Sequence, residues 1–200
     1  MKWTWILVLV ALLPLSLAAA ERPLIPSKSE IGFTVKQMGV GVSGNFREFT
    51  ARIDLDPQKP EAGKAQIEVT TASIATGEPQ ADTEAVAKPW LNAAGFPKAR
   101  FASDEIHTLG QGRFEVKGKL TIKGKTREVK VPVTLENQPD GTALVAGEFT
   151  LLRTDFGVGG GEWNDDELVA NEVPVRFRFT LGPASAAAPA APVSKSKPKS

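Results

Sequence analysis

The sequence predicts an all-β protein, an antiparallel barrel of about eight strands with one short helix. Apolar side chains fall on every second residue through most of the chain, and turn residues interrupt that alternation at intervals. One stretch breaks the period, and there the helix is placed.

The alternation is plainest in "GRFEVKGKLTIKGKTREVKVPVTL", Gly112 to Leu135. Phe114, Val116, Gly118, Leu120 and Ile122 share one parity, and charged or polar residues share the other, which is the pattern of a strand with one wet face. Gly124-Lys125 interrupts it where a tight turn fits, and Arg127, Val129, Val131, Val133 and Leu135 resume it, so the segment reads as a hairpin. Pro132 lacks an N–H and predicts an edge or a bulge at that point. The same grammar recurs at Ile31, Phe33 and Val35, at Phe49 to Leu55, at Ala65 to Val69, at Val145 to Leu151 and at Val173 to Leu181, with a weaker segment from Arg100 to Leu109. In "PQADTEAVAKPWLNAAGF" the period is lost, and Asp82 or Thr83 is placed to cap a short helix running to Lys88 before Pro89.

The ends bound the domain. "MKWTWILVLVALLPLSLAAA" combines Lys2, an apolar run and small residues at Ala18 and Ala20, the form of a secretory signal over residues 1–20. An uncleaved membrane anchor would need a longer apolar run. From Pro183 to Ser200 the chain is Ala-, Pro- and Lys-rich, a composition that cannot repay the entropy of ordering. Lys195, Lys197 and Lys199 suit a transient contact with an anionic membrane surface or plain solubility. Residues 21–182 are left as one domain, large enough for a sizeable core. Setting aside Lys2 and the three tail lysines from the 24 basic residues leaves 20 against 23 acidic ones, which gives no nucleic-acid footprint. With no cysteine in an exported chain, the fold must be held by its core and not by disulfides.

Chemistry is scarce. His107 is the sole histidine and there is no cysteine or tyrosine, which removes Ser-His-Asp and Cys-His machinery unless His107 acts alone. Its neighbours "DEIHTLGQG" read as a strand end and turn, with His107 on the surface. A zinc site built from several imidazoles or thiolates is excluded. "TDFGVGGGEWNDDELVAN", Thr154 to Asn171, gathers glycines, Trp163 and the carboxylates of Glu162, Asp165, Asp166 and Glu167. It lacks the strand-to-helix setting of a dinucleotide loop and the spacing of a calcium loop, so it reads as a long loop at a barrel rim, with hydrolytic chemistry over 155–167 as the alternative.

An eight-stranded barrel either fills with side chains or holds one small ligand. The inward set includes Phe33, Phe49, Phe114, Phe149, Phe177 and Phe179, but also Ala51, Ala65, Gly118 and Gly147, which leave room. Trp90 and Phe96 in "PWLNAAGFP" suit a plug of core or a mouth over a ligand. Alternation leaves both readings open.

"SEIGFTVKQMGVGVSGNFREFTARIDLDP", "ASIATGEPQAD", "WLNAAGFPKARFAS", "GKLTIKGKTREVKVPVTL" and "FTLLRTDFGVGGGEWNDDELVANEVPVRFRF", in this order, resemble the YceI-like family of exported bacterial proteins over nearly all of Ser29 to Leu181. The resemblance implies a periplasmic, lipocalin-like antiparallel barrel with a long pocket for a polyisoprenoid or related amphiphilic lipid, such as a quinone or polyprenyl carrier. Two positions depart from the family pattern: Gln37 stands where many relatives have histidine, and Ala81 where they have arginine before Asp82.

On this reading the chain is a lipid binder without a cofactor and not an enzyme. The wall contacts are then Phe33, Val35, Phe46, Ile53, Phe101, Phe114, Leu120, Phe149 and Phe177, with Trp90, Leu91 and Phe96 near the mouth and Gln37, Asp82 and Arg153 as candidates for a polar end. The rivals are a solid structural or stress-related envelope barrel and a hydrolase using the acidic loop. An exposed edge strand would allow a homodimer.

Overall fold

A computed structural model describes residues 22–56 and 59–183. The expected signal segment 1–20 and the tail beyond Pro183 lie outside the described residues. The chain forms β1 (Glu30–Gln37), β2 (Val40–Phe46), β3 (Phe49–Asp54), β4 (Lys64–Thr70), β5 (Ile74–Ala75), α1 (Pro79–Ala85), β6 (Lys98–Gly110), β7 (Arg113–Ile122), β8 (Lys125–Asn137), β9 (Ala143–Leu152) and β10 (Glu172–Leu181), with short 3-10 turns between them.

Among the described residues ten strands, and not eight, make one antiparallel sheet in the order β3-β4-β6-β7-β8-β9-β10-β1-β2-β5. The two additional strands are β2, whose glycines Gly41 and Gly44 thin out the alternation, and β5, which has only two residues. They are continuations of their neighbours. Arg47-Glu48 links β2 to β3, and Thr71–Ser73 links β4 to β5. Across that corner the Arg47 N–H donates to the Ser73 carbonyl at 3.1 Å and the Thr70 N–H to the Glu48 carbonyl at 2.9 Å. The two bent segments therefore run side by side, and the ends of the strand order meet, curling the sheet into a barrel.

Local chemistry accounts for the turns. Lys123 and Gly124 both have positive φ, 48° and 73°, so the β7–β8 turn is centred one residue before Gly124-Lys125. Met38 and Gly39, at 47° and 79°, turn β1 into β2 in the same way. The helix starts earlier than its expected cap. Pro79 occupies the first turn after Glu78, where a missing N–H costs nothing, and Asp82 sits inside the helix with its carboxylate turned back to Thr76. Pro132 lies where β8 stops pairing with β9: Val133 to Asn137 are matched by Gly147 to Ala143, while residues 125–132 have only β7 beside them. The missing N–H falls on the side that has no strand.

The apolar face of every strand points inward. At the end of the barrel that carries the β6–β7 turn, Phe114, Ala143 and Leu181 are at most 2% exposed and form a packed floor with Val133. The opposite end carries the β1–β2 and β7–β8 turns, the helical segment between β5 and β6, and the loop between β9 and β10.

Candidate functional site

Above the packed floor the barrel is hollow. A cavity of about 170 Å³ runs between the inward faces of the strands, and its lining presents no polar atom to the space. Of the expected wall residues, Phe46, Ile53, Phe101, Leu120, Phe149 and Phe177 line it, as does Leu91 from the loop before β6. Arg100 and Thr71 also border it, but their polar atoms are turned away. The Arg100 Nε–H donates to a Glu68 carboxylate oxygen at 2.9 Å, and the Thr71 hydroxyl donates to the Phe96 carbonyl at 2.8 Å.

Three expected wall contacts sit elsewhere. Phe114 is part of the floor and does not reach the cavity. Phe33 lies against Phe46, with ring centroids 5.7 Å apart, behind the lining. Val35 is half-buried and faces Val42 across the β1–β2 pair. Strand parity puts all three on the inner side, and only the packing along the barrel axis separates floor, flank and wall. Ile67, Val69, Leu151, Val175 and Phe179, all on the inward parity, line the cavity as well, although none was among the expected wall contacts.

The candidate polar end is dispersed. Gln37 is exposed at the end of β1, where it forms a backbone bridge with Val169. Asp82 accepts from the Thr76 backbone N–H and from its hydroxyl, both at 2.7 Å, and these bonds with nearby Arg47 hold its carboxyl below the usual range. Arg153 is 2% exposed, and its donors are taken by backbone carbonyls: Nε by Ala170 at 3.1 Å, Nη1 by Val158 at 3.1 Å and Gly159 at 2.8 Å, Nη2 by Trp163 at 2.8 Å and Val169 at 2.6 Å. A guanidinium has five N–H groups, so none is left for a ligand head group. Burial lowers its pKa, opposed by Asp166, whose carboxylate is 3.9 Å away.

Arg153 is thus the clasp of the loop between β9 and β10, and the loop is the cap of the barrel. Its Cζ lies 6.0 Å from the Trp90 ring, which packs on Trp163 at 5.7 Å. The Gly159 N–H donates to the Pro89 carbonyl at 3.0 Å. Lys123, from the β7–β8 turn, ties the two cap segments together by donating to Pro89 at 3.0 Å and Gly157 at 2.7 Å. Its pKa is lowered by burial first and by Lys125 second. Lys123 looks like one more wet-face lysine in the sequence. Trp90 and Phe96 belong to this cap: the Trp90 Nε1–H donates to Glu84 at 3.2 Å, and the Phe96 ring lies over Gly124.

The acidic segment does not converge. Asp165, Asp166 and Glu167 are exposed, and Asp165 accepts the Glu167 N–H at 2.9 Å as a local turn. Among the described residues no group of three or more His, Cys, Asp or Glu side chains is arranged to hold a metal ion. His107 is exposed beside Glu105, 3.1 Å away, on the outer face of β6.

A capped antiparallel barrel around an apolar cavity defines a lipocalin-like protein. Residues 23–181 match the model of the YceI-like domain, and the chain belongs to that family. It is 30% identical over 136 residues to the "UPF0312 protein" of Pseudomonas savastanoi pv. phaseolicola, covering 65% of this chain and 71% of that one. Among solved structures it is similar to Burkholderia cenocepacia BcnA, with 37% identity and a TM-score of 0.76 over 78% of this chain and 98% of the other. A polyisoprenoid binding domain from Saccharophagus degradans, described as implicated in plant cell wall breakdown, has the same fold, with a TM-score of 0.67 and 15% identity over 83% of this chain and 99% of that domain.

Proposed function

We propose that this protein binds an isoprenoid-type or related amphiphilic lipid inside the barrel and sequesters or carries it in the periplasm. The observation that carries the reading is the cavity: a lined, lidded space without a polar atom selects an apolar chain, which gains about 0.8 kcal/mol for each methylene removed from water. The polyisoprenoid binding domain that shares this fold supports the ligand class. The signal-like segment 1–20 supports export. A quinone or a polyprenyl carrier fits the same chemistry, and a binding role needs none of the acidic groups of the cap.

Native mass spectrometry with organic extraction, on mature protein purified from its own periplasm without detergent, tests the proposal. The expected result is a bound mass of isoprenoid composition, lost on Phe149→Asp, which places a carboxylate against the apolar lining. A ligand-free mass, together with no uptake of added prenyl alcohol by the wild-type protein, refutes it.

A further inference from the structure

We propose that the polar end of the ligand is an anionic head group, a phosphate or a carboxylate, held by Arg127 and Lys125 at a breach in the barrel wall between β8 and β9. This rests on the isoprenoid reading above and adds to it where the polar end lies and what charge it carries.

The interior has no place for the polar end of an amphiphile. Its lining presents no polar atom, and every donor of Arg153 is spent on the cap, so a head group must stay at an opening in the wall. Strand pairing supplies one. β8 and β9 pair only from Val133 to Asn137 against Gly147 to Ala143. Toward the cap from there, β8 has β7 alone beside it and β9 has β10 alone. Val131 on one lip of this breach and Phe149 and Leu151 on the other all line the cavity, which therefore reaches the breach from both sides. The Arg153–Phe156 turn that follows β9 lies beside β8 and bounds the breach on the cap side.

Register places two cations there. Arg127 is paired across β7–β8 with Leu120, and Lys125 with Ile122. Directly opposed residues of an antiparallel pair project to the same face, and Leu120 and Ile122 line the cavity. Arg127 and Lys125 thus continue the inward parity of Val129, Val131 and Val133, yet both are exposed, because no strand covers β8 at that level. Among the described residues neither forms an ion pair: Arg127 Nη1 donates to the Thr126 carbonyl at 3.0 Å, and the Lys125 ammonium lies against Gly157 of the cap. The Glu128 carboxylate is on the other parity and pairs with Lys117 at 3.4 Å, and Asp155 on the bounding turn is exposed and ion-paired to neither cation. The pKa of Lys123 is lowered by burial and then by Lys125, so positive charge gathers at the breach. An anion seated there keeps its outer oxygens in water and takes donors from a guanidinium fork and an ammonium, while its chain runs past Leu120 and Ile122 into the lumen.

The test is the affinity of detergent-free protein for a prenyl alcohol and for its monophosphate ester of the same chain length, measured by competition against a fluorescent apolar probe. Wild-type protein should bind the ester about tenfold or more tightly than the alcohol at low salt. That preference should shrink to about threefold or less in about 0.5 M sodium chloride, since both cations are exposed to screening. Arg127→Gln and Lys125→Gln should each reduce the ester-to-alcohol ratio by about threefold, and the double variant should abolish the preference. Lys130→Gln, exposed on the outward parity of β8, should leave the ratio as it is. Equal wild-type affinity for the two lipids overturns the head-group site and leaves the isoprenoid reading standing. Uptake of neither lipid overturns that reading itself. A preference that survives in the folded double variant overturns the assignment to these two residues. Inorganic phosphate that removes the preference at the ester's own concentration overturns the head-group role in favour of a free anion. Because the wild-type comparison alone decides whether a charged end is preferred, a variant that fails to fold does not protect the proposal.

Discussion

Replacing Arg153 by methionine keeps an apolar stem of similar length and removes every donor of the cap's clasp. Carbonyls of Val158, Gly159, Trp163, Val169 and Ala170 then lose their partner, and the bonds to Gly159 and Val169 are the fully buried ones. A buried acceptor left unpaired costs about 1–3 kcal/mol, so the two together come to about 2–6 kcal/mol if the loop stays in place. The loop need not stay. Phe156 and Val169 are buried and hold the ends of the loop, so opening confined to the segment between them limits the loss, and the expected global destabilisation is about 2–4 kcal/mol. The ion pair with Asp166 adds little, since that carboxylate is 66% exposed and 3.9 Å away.

Urea unfolding followed by far-UV circular dichroism measures the global loss. Amide exchange at Val158 and Gly159, whose N–H groups bond to Arg153 and Pro89 carbonyls, measures the local one. Both should change, and exchange at Val145 on β9 should accelerate only as far as global stability falls. If Arg153 instead served a ligand head group, Arg153→Met would weaken lipid binding and leave the urea midpoint alone. An unchanged midpoint with unchanged exchange in the loop refutes the clasp.

Gly118→Ala should destabilise the barrel by about 1–3 kcal/mol in thermal unfolding, because its methyl group meets the Ala102 carbonyl at 2.4 Å as well as the Phe101 ring. Phe101→Ala on that background should not restore stability, since the backbone clash remains. Phe114→Ala, in the floor, should cost about 3–5 kcal/mol by urea unfolding, yet leave the ligand stoichiometry of the folded fraction intact. Asp82 has a folded pKa below its ordinary value, so its contribution is fully present above the unfolded pKa of about 3.9 and is lost as pH falls through the lowered folded value. Asp82→Asn should remove that acid-side loss, read as faster exchange of the Thr76 amide at neutral pH and a flatter pH dependence below about 4.

Most of the walls were legible because a strand with one wet face writes its burial at period two. Ile53, Phe101, Leu120, Phe149 and Phe177 are on the expected parity and line the cavity. The same parity could not separate Phe114 from Phe149, since the difference is position along the barrel axis, which depends on strand stagger and not on alternation. β2 and β5 were missed because glycines and brevity erase the signal, although Phe46 on β2 lines the cavity. Arg153 misled for a physical reason. A buried arginine beside a glycine-rich segment reads equally as an anion site or as a partner for backbone carbonyls, and only the five acceptors decide between them.

The same inward pattern therefore builds a core at one end and a container above it. What distinguishes them is the distribution of small residues. At the floor Ala143 is wholly buried beside Leu181 and Phe114, so its small side chain is filled against. At Gly118 and Gly147 the missing side chain is filled by a ring from the neighbouring wall, and the centre of the lumen is left clear. An alanine can be packed by what lies across the barrel, whereas a glycine under a ring draws that ring sideways onto the sheet. Glycine and phenylalanine on adjacent strands, with the ring lining the cavity, thus mark a wall that has been thinned to make room, whereas Phe33 over Gly44 on β1 and β2 lies behind the lining. Two such pairs at the cavity are a costly way to build a solid core, since each glycine weakens its strand. They are a direct way to keep an apolar space open while surrounding it with aromatic surface.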